Sequence, residues 1–310
     1  MPADHYAQSG ERWALGAELV YGPIAAELVA SSPHPLTGRV VLDAGAGTGA
    51  ASTELHRRQA RILAVDLSAG MLAWHAASRP PCAVADIRAL PLGTASVDDA
   101  VAAFVLNHLT EPGEGLAELG RVTRPAGAVM AAVFGNDSQN DARDRIDAAA
   151  LAAGWQVPDW YRQLKAVAAP ILGTAAAMAA AARAAGLTAV HTEERRVDVG
   201  VTRAHELVRY RLSHPVFAAW LDALGTHRAQ AFASRAEKPS GIRWNHTGPP
   251  SSSCVHSFPP SHSAETILTV SRLRARRHNR PRRCENSRAK TAPLAEAGAR
   301  RRWRCPTQSV

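Results

Sequence analysis

Between residues 40 and 135, short apolar runs alternate with amphipathic segments. VVLDAGA (40–46), RILAVDL (61–67), CAVADI (82–87), VDDAVAAFVL (97–106) and GAVMAAVFG (127–135) are nearly continuous stretches of Val, Ala and Leu. Strands buried on both faces of a parallel sheet have this pattern, because helices cover both sides and leave no polar face. The intervening segments predict helices after Gly49, at SAGMLAWHAAS (68–78) and at GEGLAELGRVTR (113–124). Strand and helix in regular alternation predict an α/β, doubly wound, mostly parallel sheet with helices on both faces.

After Gly135 the pattern turns helical. DARDRIDAAALAAGW and DWYRQLKAV predict insertion or lid helices, and GTAAAMAAAARAAGL (173–187) predicts an Ala-rich helix stopped by Gly186. TAVHTEERRVDVGV (188–201) alternates as a strand does, and a further helix is expected from Arg203 to about Leu224. From about Ser234 the periodicity stops. The remainder is rich in Ser, Pro, Arg and His, contains no Asp, and offers only TILTV (266–270) as an apolar run. Such a segment buries too little apolar surface to offset chain entropy. The expected organisation is a folded body over 1–234, with a helical lid at 1–34 and a helical substrate insertion at 136–187. A basic tail follows over 235–310, disordered or the product of a shifted reading frame.

At 310 residues and 46% hydrophobic content the chain can bury a large core. No apolar run reaches the roughly 20 residues of a membrane helix. The start, MPADHYAQSGERW, carries Asp4 and Glu11 where a signal peptide is basic and then apolar. The expectation is a cytoplasmic protein with no membrane partner. Four cysteines without a C-x-x-C pairing do not make a disulfide scaffold, and Cys82 is expected reduced in a strand. The net charge of +9 is uneven: residues 235–310 hold 16 Lys and Arg against 4 Asp and Glu, leaving 20 against 23 for the body. The body is therefore mildly acidic and lacks the basic face that nucleic acid requires.

The candidate chemistry lies in VVLDAGAGTGAASTEL (40–55), where Asp43 ends an apolar run and Gly45, Gly47 and Gly49 alternate before a helix. Unpaired N–H groups at a helix start, with glycines beside them, let a ligand approach the backbone closely. Two ligand classes use this. A dinucleotide would match G-x-G-x-x-G/A through Gly45, Gly47 and Ala50, with Asp66 for a ribose; this is the NAD(P)-binding oxidoreductase alternative. Such an enzyme usually needs a Tyr/Lys or His/acid constellation downstream, and Lys occurs only at 165, 238 and 290. The other class is S-adenosylmethionine.

DAGAGTG (43–49), AVDLSAGML around Asp66, VADIRALPL around Asp86, and VDDAVAAFVLNHL followed by GRVTRPAGAVM together resemble the class I S-adenosylmethionine-dependent methyltransferases, in particular the small-molecule group that includes ubiquinone and menaquinone biosynthesis. The similarity is close over about 35–135 and weaker to about 230. It departs at Ala126-Gly127, where the family usually has two glycines. The resemblance implies a Rossmann-like sheet and S-adenosyl-L-methionine as cofactor. It further implies that Gly45, Ala46, Gly47 and Gly49 make room for the methionine moiety and that Asp43 fixes that loop or reaches the amino group. Asp66 would accept from the ribose hydroxyls, Leu67 and Met71 would cover the adenine, and Asp86 with Ile87 would meet its edge. Phe104, in the fourth apolar run (97–106), is expected at the same site.

For the acceptor, Asn107 and His108 are placed at the carboxyl end of the sheet, where ligands of open α/β sheets bind. His108 is the catalytic candidate, as a base or an acceptor contact. Tyr6 and Trp13 are candidate lid residues, and Trp155, Trp160 and Tyr161 hint at an apolar or aromatic acceptor. A small-molecule acceptor in bacterial secondary metabolism is the expected setting. A nucleic-acid methyltransferase using the tail is the alternative, weakened because NHLT stands where amino-methylating DNA enzymes carry N-P-P-[YFW]. Cys254, His256, His262, His278 and Cys284 have no zinc-type spacing, so no metal is expected.

Overall fold

A computed structural model describes residues 4–136, 141–238 and 264–267. Seven strands form one sheet in the order β3-β2-β1-β4-β5-β7-β6. β1 (Val40–Ala44), β2 (Arg61–Asp66), β3 (Cys82–Val84), β4 (Asp99–Ala103) and β5 (Val129–Phe134) fall inside the five predicted runs and pair in parallel. β6 (Arg195–Val197) and β7 (Ala264–Ile267) are antiparallel to each other, and β7 is antiparallel to β5. The chain leaves β1 toward β2 on one side and returns to β4 on the other, so a crevice opens where β1 and β4 diverge.

Helices α1 (Gly10–Gly16) and α2 (Glu18–Ala30) precede the sheet. α3 (Ala50–Arg57) follows the glycine loop, α4 (Ala69–Ala73) follows β2, and α5 (Pro112–Val122) follows β4. Then come α6 (Asp141–Ala152) and α7 (Asp159–Gln163), the latter continuing through a π-helical turn, Leu164–Ala168, into α8 (Ala169–Ile171). α9 (Ala175–Ala184), α10 (Ala204–Leu212), α11 (Ala218–Leu224) and α12 (Thr226–Ala236) complete the set. Among these described helices none alone is long and apolar enough to cross a membrane.

Two apolar layers hold the sheet. Ile24, Leu28, Val41, Leu55, Val101 and Met130 pack on one side, and Leu42, Leu106, Leu116, Leu119, Val129 and Val133 on the other, all essentially without exposure. A third cluster, built on Ile146, Trp155, Val208 and Phe217, joins α6 to α10 and α12 beside the sheet.

Several expectations are revised. α9, within the segment 136–187, packs on the sheet: Met178 and Ala182 sit in the core with Leu119, and Gly120 lies under Leu187. The strand expected over 188–201 is only three residues, Arg195–Val197, the stretch that pairs with β7; Ala189 and Gly200, near the ends of the expected run, adopt left-handed backbone. The helix expected over 203–224 breaks after Leu212; Pro215 lacks the N–H needed to continue it. Asp99, at the polar start of the fourth run, is fully buried, accepting from His34 Nε2 (2.8 Å), Arg39 Nε (2.6 Å) and the Ala128 N–H (2.8 Å). Cys82 is buried in β3. At the far end the body runs past 234 through α12, and β7 shares Thr266 and Ile267 with TILTV. The expected disorder of the other tail residues, the basic runs and the Cys/His set lie outside the described residues.

Candidate active site

The crevice contains a cavity of about 490 Å³. Asp43, Gly45, Ala46 and Gly47 enter it from the end of β1, Asp66 and Leu67 from the end of β2, and Met71 from α4. Asp86 and Ile87 reach it after β3, Phe104 and His108 after β4, and Tyr6 and Trp13 from the N-terminal segment. Parallel strands explain the convergence, since every β-to-α connection leaves from the same edge.

Two candidates lie elsewhere. Gly49 is buried behind the loop, at φ +109° on the N-terminal side of α3. Asn107 does not line the cavity. It shares the single 3-10 turn Leu106–His108 with His108, and successive side chains in that geometry point roughly 120° apart.

The loop that follows β1 is bare for a reason visible in its neighbours. Gly45 has φ +72°, and a Cβ there would stand 2.4 Å from Val105 Cβ. Asp66 Oδ2 accepts from the Gly47 N–H (2.7 Å) and Oδ1 from the Ser68 N–H (2.8 Å), pinning the loop to β2. Each oxygen keeps a second lone pair for a ligand hydroxyl. Asp43 Oδ2 accepts from Ser52 Oγ (2.6 Å), whereas Oδ1 is buried with no hydrogen-bond partner among the described residues. Burial pushes the Asp43 carboxyl up to about 6, and burial also raises Asp66, although the Ser68 and Gly47 N–H groups oppose it. A cavity edged by two destabilised carboxylates suits a cationic ligand.

Arg79, which sequence reasoning missed, secures this edge. Its guanidinium donates to Gly47 O (2.9 Å) and Met71 O (3.3 Å), tying the glycine loop to α4, and its charge lowers the pKa of both Asp43 and Asp66. No motif flags an arginine after an irregular turn. Asp86 is tied to Arg88, whose Nη2 donates to Oδ2 (2.7 Å) and whose own N–H donates to Oδ1 (2.9 Å); the guanidinium holds that carboxyl below its ordinary value.

Part of the lining is aromatic. Tyr6 meets His108 edge-on at 5.8 Å and Trp13 at 5.6 Å. His5 stacks on Trp160 at 4.4 Å, bridging the N-terminal segment to α7. Phe104 has φ +60°, a strained conformation for a bulky residue, and packs on Tyr21 (5.0 Å) and Phe134 (4.6 Å). Tyr21, from α2, also lines the cavity and was not anticipated. His108 opens onto the cavity, while the protein mass around it and the charge of Lys165 push its pKa down to about 4. It is a neutral imidazole at pH 7.

The residues present fit S-adenosylmethionine. Asp43 offers a partnerless buried acceptor for the amino group, and Asp66 offers lone pairs for the ribose. The loop at Gly45 and Gly47 leaves space beside the methionine moiety, and Met71, Leu67 and Ile87 supply apolar cover. When bound, that molecule supplies an electrophilic methyl group on a positively charged sulfur.

Comparison with known proteins agrees. The methyltransferase domain family matches residues 42–131. Demethylmenaquinone methyltransferase of Mycolicibacterium paratuberculosis is 37% identical over 101 residues, covering 33% of this chain and 44% of the relative. Malonyl-[acyl-carrier protein] O-methyltransferase of Halorhodospira halophila is 40% identical over 119 residues, covering 36% and 39%. The chain thus spans less than half the length of these relatives. Among solved structures, an S-adenosylmethionine-dependent methyltransferase from Aquifex aeolicus is 18% identical, covering 58% of this chain and 86% of its own, with a TM-score of 0.41. With its glycine loop and its strand-end carboxylates at β1 and β2, the segment 42–131 is a class I S-adenosylmethionine-dependent methyltransferase domain.

Proposed function

We propose that this protein transfers a methyl group from S-adenosylmethionine to a small-molecule acceptor held between the N-terminal segment and the turn after β4. The observation that carries the reading is one cavity lined both by the carboxylates that end β1 and β2 and by Tyr6, Trp13 and His108. Substitution at a methyl carbon needs the acceptor atom in line at about 3 Å, so positioning supplies much of the rate. Asp43, Asp66 and the glycine loop orient the cofactor. Tyr6 and Trp13 cover the reacting end and exclude water. His108, being neutral, offers a lone pair to an acceptor hydroxyl and takes its proton late, as the oxygen becomes acidic on alkylation.

Relatives acting on demethylmenaquinone and on malonyl-[acyl-carrier protein] support a small or carrier-held acceptor. The arginine-rich, lysine-poor composition favours a bacterial source, and a role in secondary metabolism is the setting proposed here. The test is calorimetry of the full chain with S-adenosylhomocysteine and, separately, NADH, followed by a turnover screen that reads S-adenosylhomocysteine formation. Heat with the first ligand alone and turnover with a small metabolite are expected. Binding of NADH without S-adenosylhomocysteine would overturn the reading.

A further inference from the structure

Gly47, at φ +52°, is held by opposite charges on its two sides. Asp66 Oδ2 accepts from its N–H (2.7 Å) and Arg79 Nη2 donates to its carbonyl oxygen (2.9 Å), so the peptide groups before and after the glycine are fixed separately. Nη1 of the same guanidinium donates to the Met71 carbonyl in α4 (3.3 Å), and a Cβ on Gly49 would stand 4.0 Å from Nη2. The guanidinium thus runs beside the loop from Gly47 to Gly49. Arg79 itself does not line the cavity.

As a fastener alone, an arginine is a costly choice here. Its described hydrogen-bond partners are two neutral carbonyls, and its Nε–H is buried with no partner among the described residues. A half-buried guanidinium with an unpaired N–H costs stability that an apolar side chain in its place would not. What the position supplies is charge. Burial raises the pKa of Asp43 and Asp66, and a neighbouring carboxylate raises each further, Asp66 beside Asp43 and Asp4 beside Asp66; Arg79 is the cation that opposes this at both. The other elements around the pair bring no positive charge to it. Glu18 of α2 accepts from Thr48 Oγ1 in the loop, Ser52 of α3 donates to Asp43, and Phe104, Val105 and the neutral His108 face the site after β4. Arg88 is engaged by Asp86.

Resting on the methyltransferase reading above, we propose that Arg79 is a positioning residue for the cofactor: without lining the cavity, it fixes the Gly47 carbonyl and supplies the positive charge that lets two neighbouring carboxylates receive a cationic ligand. S-adenosylmethionine brings its own cations, an ammonium and a sulfonium, and an ionised Asp43 is the form that attracts them. With Arg79 in place, burial pushes the Asp43 carboxyl up to about 6, so it is ionised at neutral pH. Without that guanidinium the carboxyl stays protonated to higher pH. Binding that requires the ionised group weakens about tenfold for each pH unit below its pKa.

The test is calorimetry of the full chain with S-adenosylhomocysteine, which keeps the ammonium, from pH 5.5 to 8 in the parent, Arg79→Gln and Arg79→Lys. Gln removes the charge and Lys keeps it. For a rise of about one unit in the carboxyl pKa, the affinity lost by Arg79→Gln should be roughly three- to fivefold greater at pH 6 than at pH 8, while Arg79→Lys follows the parent's pH dependence. Ligand-free thermal melts give a second reading. A folded-state carboxyl pKa raised further costs stability as pH rises through it, so the Tm of Arg79→Gln relative to the parent should fall between pH 6 and pH 8. An affinity loss equal at both pH values, a Lys variant shifted as far as the Gln variant, a Tm difference indifferent to pH, or loss of the cooperative melt in Arg79→Gln overturns the proposal, since each marks Arg79 as a fastener only. S-adenosylhomocysteine binding by the parent is measured first. Its absence would overturn the methyltransferase reading itself.

Discussion

Replacing Asp43 with Asn tests whether its buried carboxylate is kept for a ligand. The group is 1% exposed, and its pKa rises from 3.8 to about 6 chiefly through burial. Because the folded value lies above the unfolded one, the folded state binds more protons between those limits. Stability therefore falls as pH rises through that window, and the whole penalty is present above pH 6. A shift of about 2 units corresponds to roughly 3 kcal/mol. Asn is nearly isosteric and carries no charge, so part of this, about 1–2 kcal/mol, should return as stability at pH 7.5. For a domain of this size that is a rise in Tm of roughly 3–6 °C. The gain should vanish near pH 4. His108 and His214, depressed to about 4 and about 3, act in the opposite sense, losing stability as pH falls below 6.5, so the difference between variant and parent isolates Asp43. Affinity should move the other way: losing a charge-assisted bond to the cofactor's amino group costs about 1.5–3 kcal/mol, or roughly 10- to 150-fold in Kd. Thermal melts from pH 4 to 8 and calorimetry with S-adenosylhomocysteine read both. A lower Tm at pH 7.5, or a Kd changed less than threefold, would refute the reasoning.

Other outcomes follow from the same geometry. His108→Ala should lower kcat about 100-fold while the S-adenosylhomocysteine Kd, measured by calorimetry, changes little. Gly70→Ala places a Cβ 1.6 Å from the Ala7 carbonyl oxygen, so residues 4–9 should lift away; limited proteolysis should then cut ahead of α1 faster while far-UV dichroism is retained. Ala126 sits at φ +68°, so Ala126→Gly should stabilise by about 0.5–1 kcal/mol in urea melts. Ending the chain after Lys238 removes β7 and leaves the edges of β5 and β6 unpaired, so light scattering should show aggregation at concentrations where the full chain is monodisperse.

The sequence by itself determined the five parallel strands, because strands buried on both faces must be continuously apolar, and it determined the glycine loop and the aspartates at 43, 66 and 86, because strand ends and side-chain-free turns leave local signatures. It also exposed the departure at Ala126, whose left-handed backbone is where glycine would be unstrained. Only the tertiary structure placed Arg79 across the loop, buried Asp99 against His34 and Arg39, turned Asn107 away from the cavity while His108 faces it, and gathered Tyr21 with Phe104 and His214. It also seated a four-residue strand from a polar tail between β5 and β6. These are contacts between segments tens to hundreds of residues apart, and no local periodicity encodes which distant surface a side chain will meet.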